Sequence, residues 1–336
     1  MERPLVSNRP KIVITDFITD ALEPERAVLG EFAELVALDA GHENDLAGQI
    51  EDAAGLMMYH VISITRATID RLRNCRLIVR CGVGVDNVDH AYARQRGVAV
   101  VNVPDYGTEE VADTAIAMLL ALTRGVTLAN SLMRTGSRPW IYTEMAPLVR
   151  LRGRVLGIVG LGRIGAATAL RAKALGMDVV FYDPYLPDGY DKALGVRRAE
   201  TLDALLAQSL AVTIHCPLTP ETRHMIDAAA IERLPRGAYL INTARGAVVD
   251  TRAVPEAIAS GRLLGAGIDV LEIEPPPADD PLVAAWRDPR HPAHHRVLIN
   301  PHSAFYCEEG LRDMRVKGSE ACRRAILGLP LRNVVN

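Results

Sequence analysis

The sequence predicts an α/β protein built from two doubly wound parallel-sheet domains. Three observations predict it. The chain has 336 residues, enough for about two domains of ordinary size. Short, β-branched runs of strand length alternate with helical stretches along most of it. One of those runs leads straight into a Gly-x-Gly-x-x-Gly turn followed by a helix.

In the first third, strands are expected at residues 11–16 (KIVITD), 34–39 (ELVALD), 55–60 (GLMMYH), 77–80 (LIVR) and 98–103 (VAVVNV). They are continuous apolar runs, as strands buried on both faces of a parallel sheet should be. Amphipathic segments such as 65–74 (TRATIDRLRN) lie between them. Residues 108–124 then form one long helix, opened by Thr108 with Glu109 and Glu110 in the first turn. A second block follows, with strands at 154–159, 178–182, 211–215, 238–242, 265–270 and 297–300. Six strands interleaved with helices is the count of a full dinucleotide-binding domain. Residues 308–327 read as a last amphipathic helix that returns to the first domain. The proline-rich stretch 275–296 reads as a long surface loop.

Composition narrows the function. Apolar residues make up 49% and charged residues 24%, the balance of a folded globular chain. A net charge of −3 supplies no basic excess to grip phosphates, so a nucleic-acid-binding role has no support. The apolar stretch 115–122 falls well short of the ~20 residues that span a bilayer, and no membrane partner is expected. Five cysteines without CxxC spacing argue against a disulfide framework. His291, His294 and His295 lack the carboxylate or cysteine pattern that would complete a metal site. The N-terminal MERPLVSNRPK has no apolar core of the secretory kind, and a cytoplasmic location is expected. Cys81 and Cys307 are read as ordinary reduced thiols.

The glycine turn is Gly160-Leu161-Gly162-Arg163-Ile164-Gly165. Its first glycine permits the tight turn, the second lets a pyrophosphate approach the backbone, and the third packs helix on strand. The pyrophosphate then sits at a helix N-terminus, where free N–H groups favour an anion. The next strand ends at Asp183, 23 residues past Gly160. A carboxylate there accepts the ribose hydroxyls and repels a 2′-phosphate, which favours NAD over NADP.

Ligands of open α/β sheets bind beyond the carboxyl ends of the strands. Arg245 follows the fourth strand of this block, Asp269 the fifth with Glu272 and Glu274 just beyond, and His302 the sixth. This set fits reduction of a 2-oxo acid. A histidinium can donate the proton, a carboxylate beside it orients the ring and stabilises its charge, and a guanidinium can hold the substrate carboxylate.

The sequence resembles the D-isomer-specific 2-hydroxyacid dehydrogenase family over nearly its whole length. The motifs are GIVGLGRIG (157–165), HCPLTPETRHMI (215–226), INTARGAVVD (241–250), GIDVLEIEPP (267–276) and NPHSAF (300–305). LMMYHVISITR (56–66), LIVRCGVGVDNVD (77–89) and FYDPYLPDGYDKALGVRR (181–198) are similar to the C-terminal-binding-protein branch. The resemblance implies a flavodoxin-like substrate domain (1–106 plus 304–336), a Rossmann cofactor domain (107–303), a cleft between them, and a homodimer through the cofactor domain. It makes His302 the acid/base, Glu274 its partner, Glu272 a neighbour, and Arg245 the substrate anchor. Gly82, Val83 and Gly84, with Arg80 nearby, would bind the substrate carboxylate. Thr108, His215, Cys216, Pro217, Thr243, Ala244 and Asp269 would join the glycine turn and Asp183 around NAD. Phe305 stands where the C-terminal-binding proteins carry tryptophan, which changes the substrate pocket and leaves the 2-oxo acid open. The alternatives are an NAD(H)-sensing, corepressor-like binding protein and a phosphoglycerate dehydrogenase.

Overall fold

A computed structural model of the chain describes residues 9–136 and 139–336. The reading of the N-terminus as free of a secretory signal falls largely on residues 1–8, outside the described ones. The chain divides into two compact units, Met1–Gly107 with Cys307–Asn336, and Thr108–Tyr306.

The smaller unit has five parallel strands, β1 (Lys11–Ile14), β2 (Glu34–Ala37), β3 (Gly55–Met58), β4 (Leu77–Arg80) and β5 (Ala99–Asn102), in the order β2-β1-β3-β4-β5. Every residue of β3 and β4 is buried, which is why these runs lack polar alternation. The amphipathic segment 65–74 is helical only at Arg66–Ile69. The C-terminal helix Glu308–Ile326 packs on helix Glu23–Leu29 and on β3 and β4. Gly318 permits the approach, since a β-carbon there would stand 2.8 Å from Cys81 Sγ. Beyond the helix, Val335 N–H donates to Val100 O and Val334 bridges Val101, which fastens the C-terminus to β5.

Arg315, on that helix, donates from Nε and Nη2 to the fully buried Glu25 at 2.7 Å each, and from Nη1 and Nη2 to Asp20 at 2.6 and 2.7 Å. Removing one partner of a buried pair leaves the other charge uncompensated. Glu25→Ala is therefore expected to destabilise the protein by about 3 kcal/mol, read as a lower urea midpoint.

The larger unit has seven parallel strands, β6 (Val155–Val159), β7 (Asp178–Tyr182), β8 (Arg197–Arg198), β9 (Ala211–Ile214), β10 (Ala238–Asn242), β11 (Leu263–Ile268) and β12 (Val297–Ile299). Their order is β12-β11-β10-β9-β6-β7-β8, so the winding reverses between β6 and β9. The sequence reading counted six. The seventh is β8, a two-residue edge strand of arginines with no hydrophobic pattern to reveal it. The stretch 275–296 is corrected from surface loop to structure. It contains helix Pro281–Arg287 and the 3-10 turn Pro292–His295, and it buries Leu282, Val283 and Ala293. Asp280 caps the helix by accepting from Val283 N–H, and Pro281 takes a first-turn position where its missing N–H costs nothing.

Helix Thr108–Arg124 packs on helix Arg163–Ala174 and on β10 and β11. It buries Ala115, Met118 and Leu119. Gly267 makes room, with its absent β-carbon 2.9 Å from Met118 Cβ. Among the described residues no single helix is long and apolar enough to cross a membrane.

Candidate active site

The carboxyl edge of the larger sheet carries the glycine turn. Gly160 has φ +86°, and a β-carbon there would stand 2.7 Å from Cys216 N and 2.9 Å from the His215 carbonyl carbon. The turn is thus pressed against the chain leaving β9, which only glycine allows. At Gly165 a β-carbon would meet Gly160 O at 2.2 Å, so the helix packs directly on the turn. Gly162 has nothing within 4 Å of its β-carbon position. It opens a cradle at the start of helix Arg163–Ala174, whose first N–H groups have no intrahelical partner. Arg163 is exposed and Ile164 half-buried.

Asp183, just past β7, accepts from Leu161 N–H at 3.0 Å through Oδ2 and from Tyr185 N–H at 3.1 Å through Oδ1. The acid is thereby fixed beside the turn. Thr243 Oγ1, just past β10, and His215 Nδ1, just past β9, are buried and have no hydrogen-bond partner among the described residues. The other ring nitrogen of His215 pairs with Thr213 Oγ1 at 2.9 Å, and burial pushes its pKa down to about 3, so the ring is neutral. Burial likewise pushes the Cys216 thiol up to about 12, which keeps it protonated. Pro217 is exposed, and Thr108 and Ala244 are half-buried. An open glycine cradle, a fixed carboxylate and orphaned polar atoms at neighbouring strand ends fit a dinucleotide. Replacing the acid tests the fit. Asp183→Ser is expected to weaken NADH binding about tenfold, the loss of a charge-assisted hydrogen bond, and to narrow the gap to NADPH in fluorescence titrations.

Along the same edge the next three strands bring the charged residues. Asn242 closes the turn after β10, donating from Nδ2 to Arg245 O at 2.9 Å and accepting from Ala244 N–H at 3.1 Å. Gly246 lets this turn lie on the next loop, since a β-carbon would be 2.0 Å from the Leu271 carbonyl carbon. Neither Asn242 nor Gly246 was singled out from sequence, although both flank Arg245 in the run NTARG. Arg245 Nη1 donates to Ala244 O at 2.8 Å.

His302 has φ +52°, and its N–H donates to Asp269 O at 2.8 Å. The carboxylate of Asp269 is buried and accepts from Ser303 N–H and Ala304 N–H at 3.0 Å each. Burial raises its pKa against these N–H groups and the charge of His302. The resemblance gives Asp269 to the cofactor. What the structure places on its oxygens is the loop that carries His302. His302 Nδ1 pairs with Glu274 Oε2 at 2.6 Å, and Leu271 N–H donates to Glu274 Oε1 at 2.7 Å. Burial would raise the Glu274 carboxyl, but the His302 hydrogen bond and charge, Leu271 N–H and the charge of Arg245 hold it below the ordinary carboxylate range. A carboxylate accepts only, so Nδ1 carries the hydrogen and Nε2 is left to exchange a proton. The side chains of His302 and Glu274 remain 25% and 34% exposed, which leaves the pair open to a ligand. Phe305 meets the His302 ring edge-on, with centroids 6.1 Å apart.

In the smaller unit, Arg80 ends β4 almost buried, with Nη1 donating to Cys81 O at 3.1 Å. Gly82 has φ +151°, and a β-carbon there would overlap Arg80 Nη1 at 1.4 Å. Val83 is exposed and Gly84 half-buried. Burial pushes the Cys81 thiol up to about 12, in line with its reading as an ordinary thiol.

Comparison with known proteins gives the family and the fold. The family profile described as D-isomer specific 2-hydroxyacid dehydrogenase, NAD binding domain, matches residues 116–304. The chain is 33% identical over 327 residues to a D-3-phosphoglycerate dehydrogenase of Methanocaldococcus jannaschii, covering 97% of this chain and 59% of that one. It is 29% identical over 329 residues to C-terminal-binding protein 1 of Caenorhabditis elegans, covering 96% and 44%. The chain thus spans only about half the length of these curated relatives. The crystal structure of D-lactate dehydrogenase from Aquifex aeolicus, complexed with NAD and lactic acid, superposes with a TM-score of 0.85 at 26% identity, covering 95% of this chain and 96% of that one.

Proposed function

Because the chain belongs to the D-isomer-specific 2-hydroxyacid dehydrogenase family, we propose that it reduces a small 2-oxo acid to the D-2-hydroxy acid, reversibly, with His302, Glu274 and Arg245 as its working residues. The observation that carries the proposal is the 2.6 Å His302–Glu274 pair on the sheet edge that also bears the glycine turn. NADH, when bound, supplies a hydride to the carbonyl carbon. His302 Nε2 gives its proton to the carbonyl oxygen as charge develops there. Glu274 stays ionised on Nδ1 and stabilises the ring before the transfer. Arg245 holds the substrate carboxylate and polarises the carbonyl through charge-assisted hydrogen bonds. Phe305 supplies an apolar wall beside His302.

The test is NADH consumption across a panel of 2-oxo acids, with the D and L products resolved. Turnover of one acid to the D product supports the reading. Turnover of none, with NADH binding intact, removes it.

A second reading has a specific observation behind it, the 29% identity to a C-terminal-binding protein. It makes the chain an NAD(H)-sensing binding protein. Capture of a short hydrophobic peptide only in the presence of NADH would favour it. A homodimer through the larger unit is also proposed, because Val126, Trp140 and Tyr142 expose 59%, 91% and 83% of their surfaces in the single chain. Sedimentation should then give twice the 36.5 kDa chain mass. A cytoplasmic location is also proposed, on the sequence reading of five cysteines without CxxC spacing.

A further inference from the structure

Glu272 lies two residues before Glu274, takes no part in the His302 pair, and reaches across to another loop. Arg223 Nη1 donates to its Oε1, and His224 Nε2 meets its Oε2 at 2.8 Å. Since a carboxylate only accepts, His224 Nε2 carries the hydrogen. His224 itself has φ +51°, a conformation a side-chain-bearing residue keeps only where its surroundings fix it. Its N–H donates to Ala247 O at 2.7 Å, and Ile226 N–H donates to Val248 O at 3.1 Å. The 223–226 segment is therefore fastened on one side to the chain just after Arg245, and on the other, through Glu272, to the loop that carries Glu274. The third side of the ring is Gly246, whose absent β-carbon would stand 2.0 Å from the Leu271 carbonyl carbon and 2.4 Å from Glu272 N. Leu271 N–H in turn holds Glu274 Oε1. Three chain segments close on one another, and the Glu272 carboxylate bridges two of them.

We propose that Glu272 is a positioning residue, which with Arg223 and His224 fixes the 271–274 loop so that Glu274 stays on His302 Nδ1 and in register with Arg245. This rests on the reading of His302 and Glu274 as the acid pair. Glu272 and its partners are partly exposed, at 37%, 54% and 31% of their side chains, so the bridge adds little to stability. Its effect lies in geometry, where a misplacement of about 1 Å can cost about 10²-fold in rate. Two further charges lie near the cluster: Arg252, which the charge of Glu272 helps to hold protonated, and Asp250, which the charge of His224 helps to hold low.

The experiment pairs kinetics with NMR titration of the nitrogen-15-labelled His302 ring, whose signal is identified by its loss in His302→Gln. Glu272→Ala is expected to lower kcat about tenfold, a fraction of the misplacement cost, with NADH affinity and thermal midpoint unchanged. It should also move the His302 titration part of the way that Glu274→Gln moves it. Glu272→Gln, which keeps an acceptor for Arg223, should restore at least half of both effects. A His302 titration in Glu272→Ala identical to wild type would overturn the proposal, whatever kcat does. If the wild-type protein turns over no 2-oxo acid, the proposed function fails, while the titration still decides whether Glu272 is coupled to His302.

Discussion

His302→Ala is expected to lower kcat for 2-oxo acid reduction by about 10³-fold, within the usual contribution of a positioned general acid, and to leave NADH binding intact. The separation follows from where the groups sit. NADH is assigned to the glycine turn, Asp183 and the ends of β9 and β10. His302 stands past β12, on a loop fastened by Asp269 and paired with Glu274. Removing the imidazole takes away the proposed proton donor without touching the cradle. The fall should appear equally in kcat and kcat/KM, because the transfer is made only in the transition state. A fall in NADH affinity of the same size would place His302 in the cofactor site instead.

Arg245→Met is expected to lower kcat/KM by about 10³-fold, through KM where the carboxylate contact is lost and through kcat where the carbonyl is no longer polarised. Two charge-assisted hydrogen bonds to a carboxylate, at about 1.5–3 kcal/mol each, account for a loss of that size. Arg245→Lys recovers little of it, since an ammonium cannot reproduce the planar fork that meets a carboxylate with two parallel bonds. The turn should survive both changes, because Asn242 holds it through the backbone of Ala244 and Arg245 rather than through the guanidinium. Steady-state kinetics with the best acid of the panel, beside NADH titration, separates lost substrate binding from lost folding.

Much of this site was legible in the sequence because parallel sheets put chemistry in fixed places. The runs at β6, β9 and β10 are continuous and apolar, so their ends could be located and the residues just past them read as one edge. The glycine turn was legible because its first and third glycines answer close approaches, to Cys216 and to Gly160 O, while the second leaves open space at the helix start. Other features depend on partners distant in the chain. Arg197 and Arg198 form β8 only because β7 offers an edge. The Arg315–Glu25–Asp20 cluster joins positions nearly 300 residues apart, and no local pattern announces it. Asp269, Glu272 and Glu274 are three acids in six residues with three different sets of partners, and only geometry tells them apart. The stretch 275–296 was misread for a local reason. Its prolines look like loop punctuation, yet Pro281 and Pro292 stand at first-turn positions where proline starts a helical turn.

In the proposed mechanism His302 carries the proton and Glu274 sets its charge. The measurement that tests it most directly is kcat/KM against pH, in both directions, for wild type and Glu274→Gln. Reduction needs the protonated ring and should fall as pH rises, whereas oxidation needs the neutral ring and should fall as pH drops. Glu274 is held below its ordinary value of 4.5, so it stays ionised through both limbs. Removing its charge takes away what favours a positive charge on the paired ring, so both limbs should move to lower pH. Limbs that stay where they are in Glu274→Gln, or that remain in His302→Ala, would contradict the account.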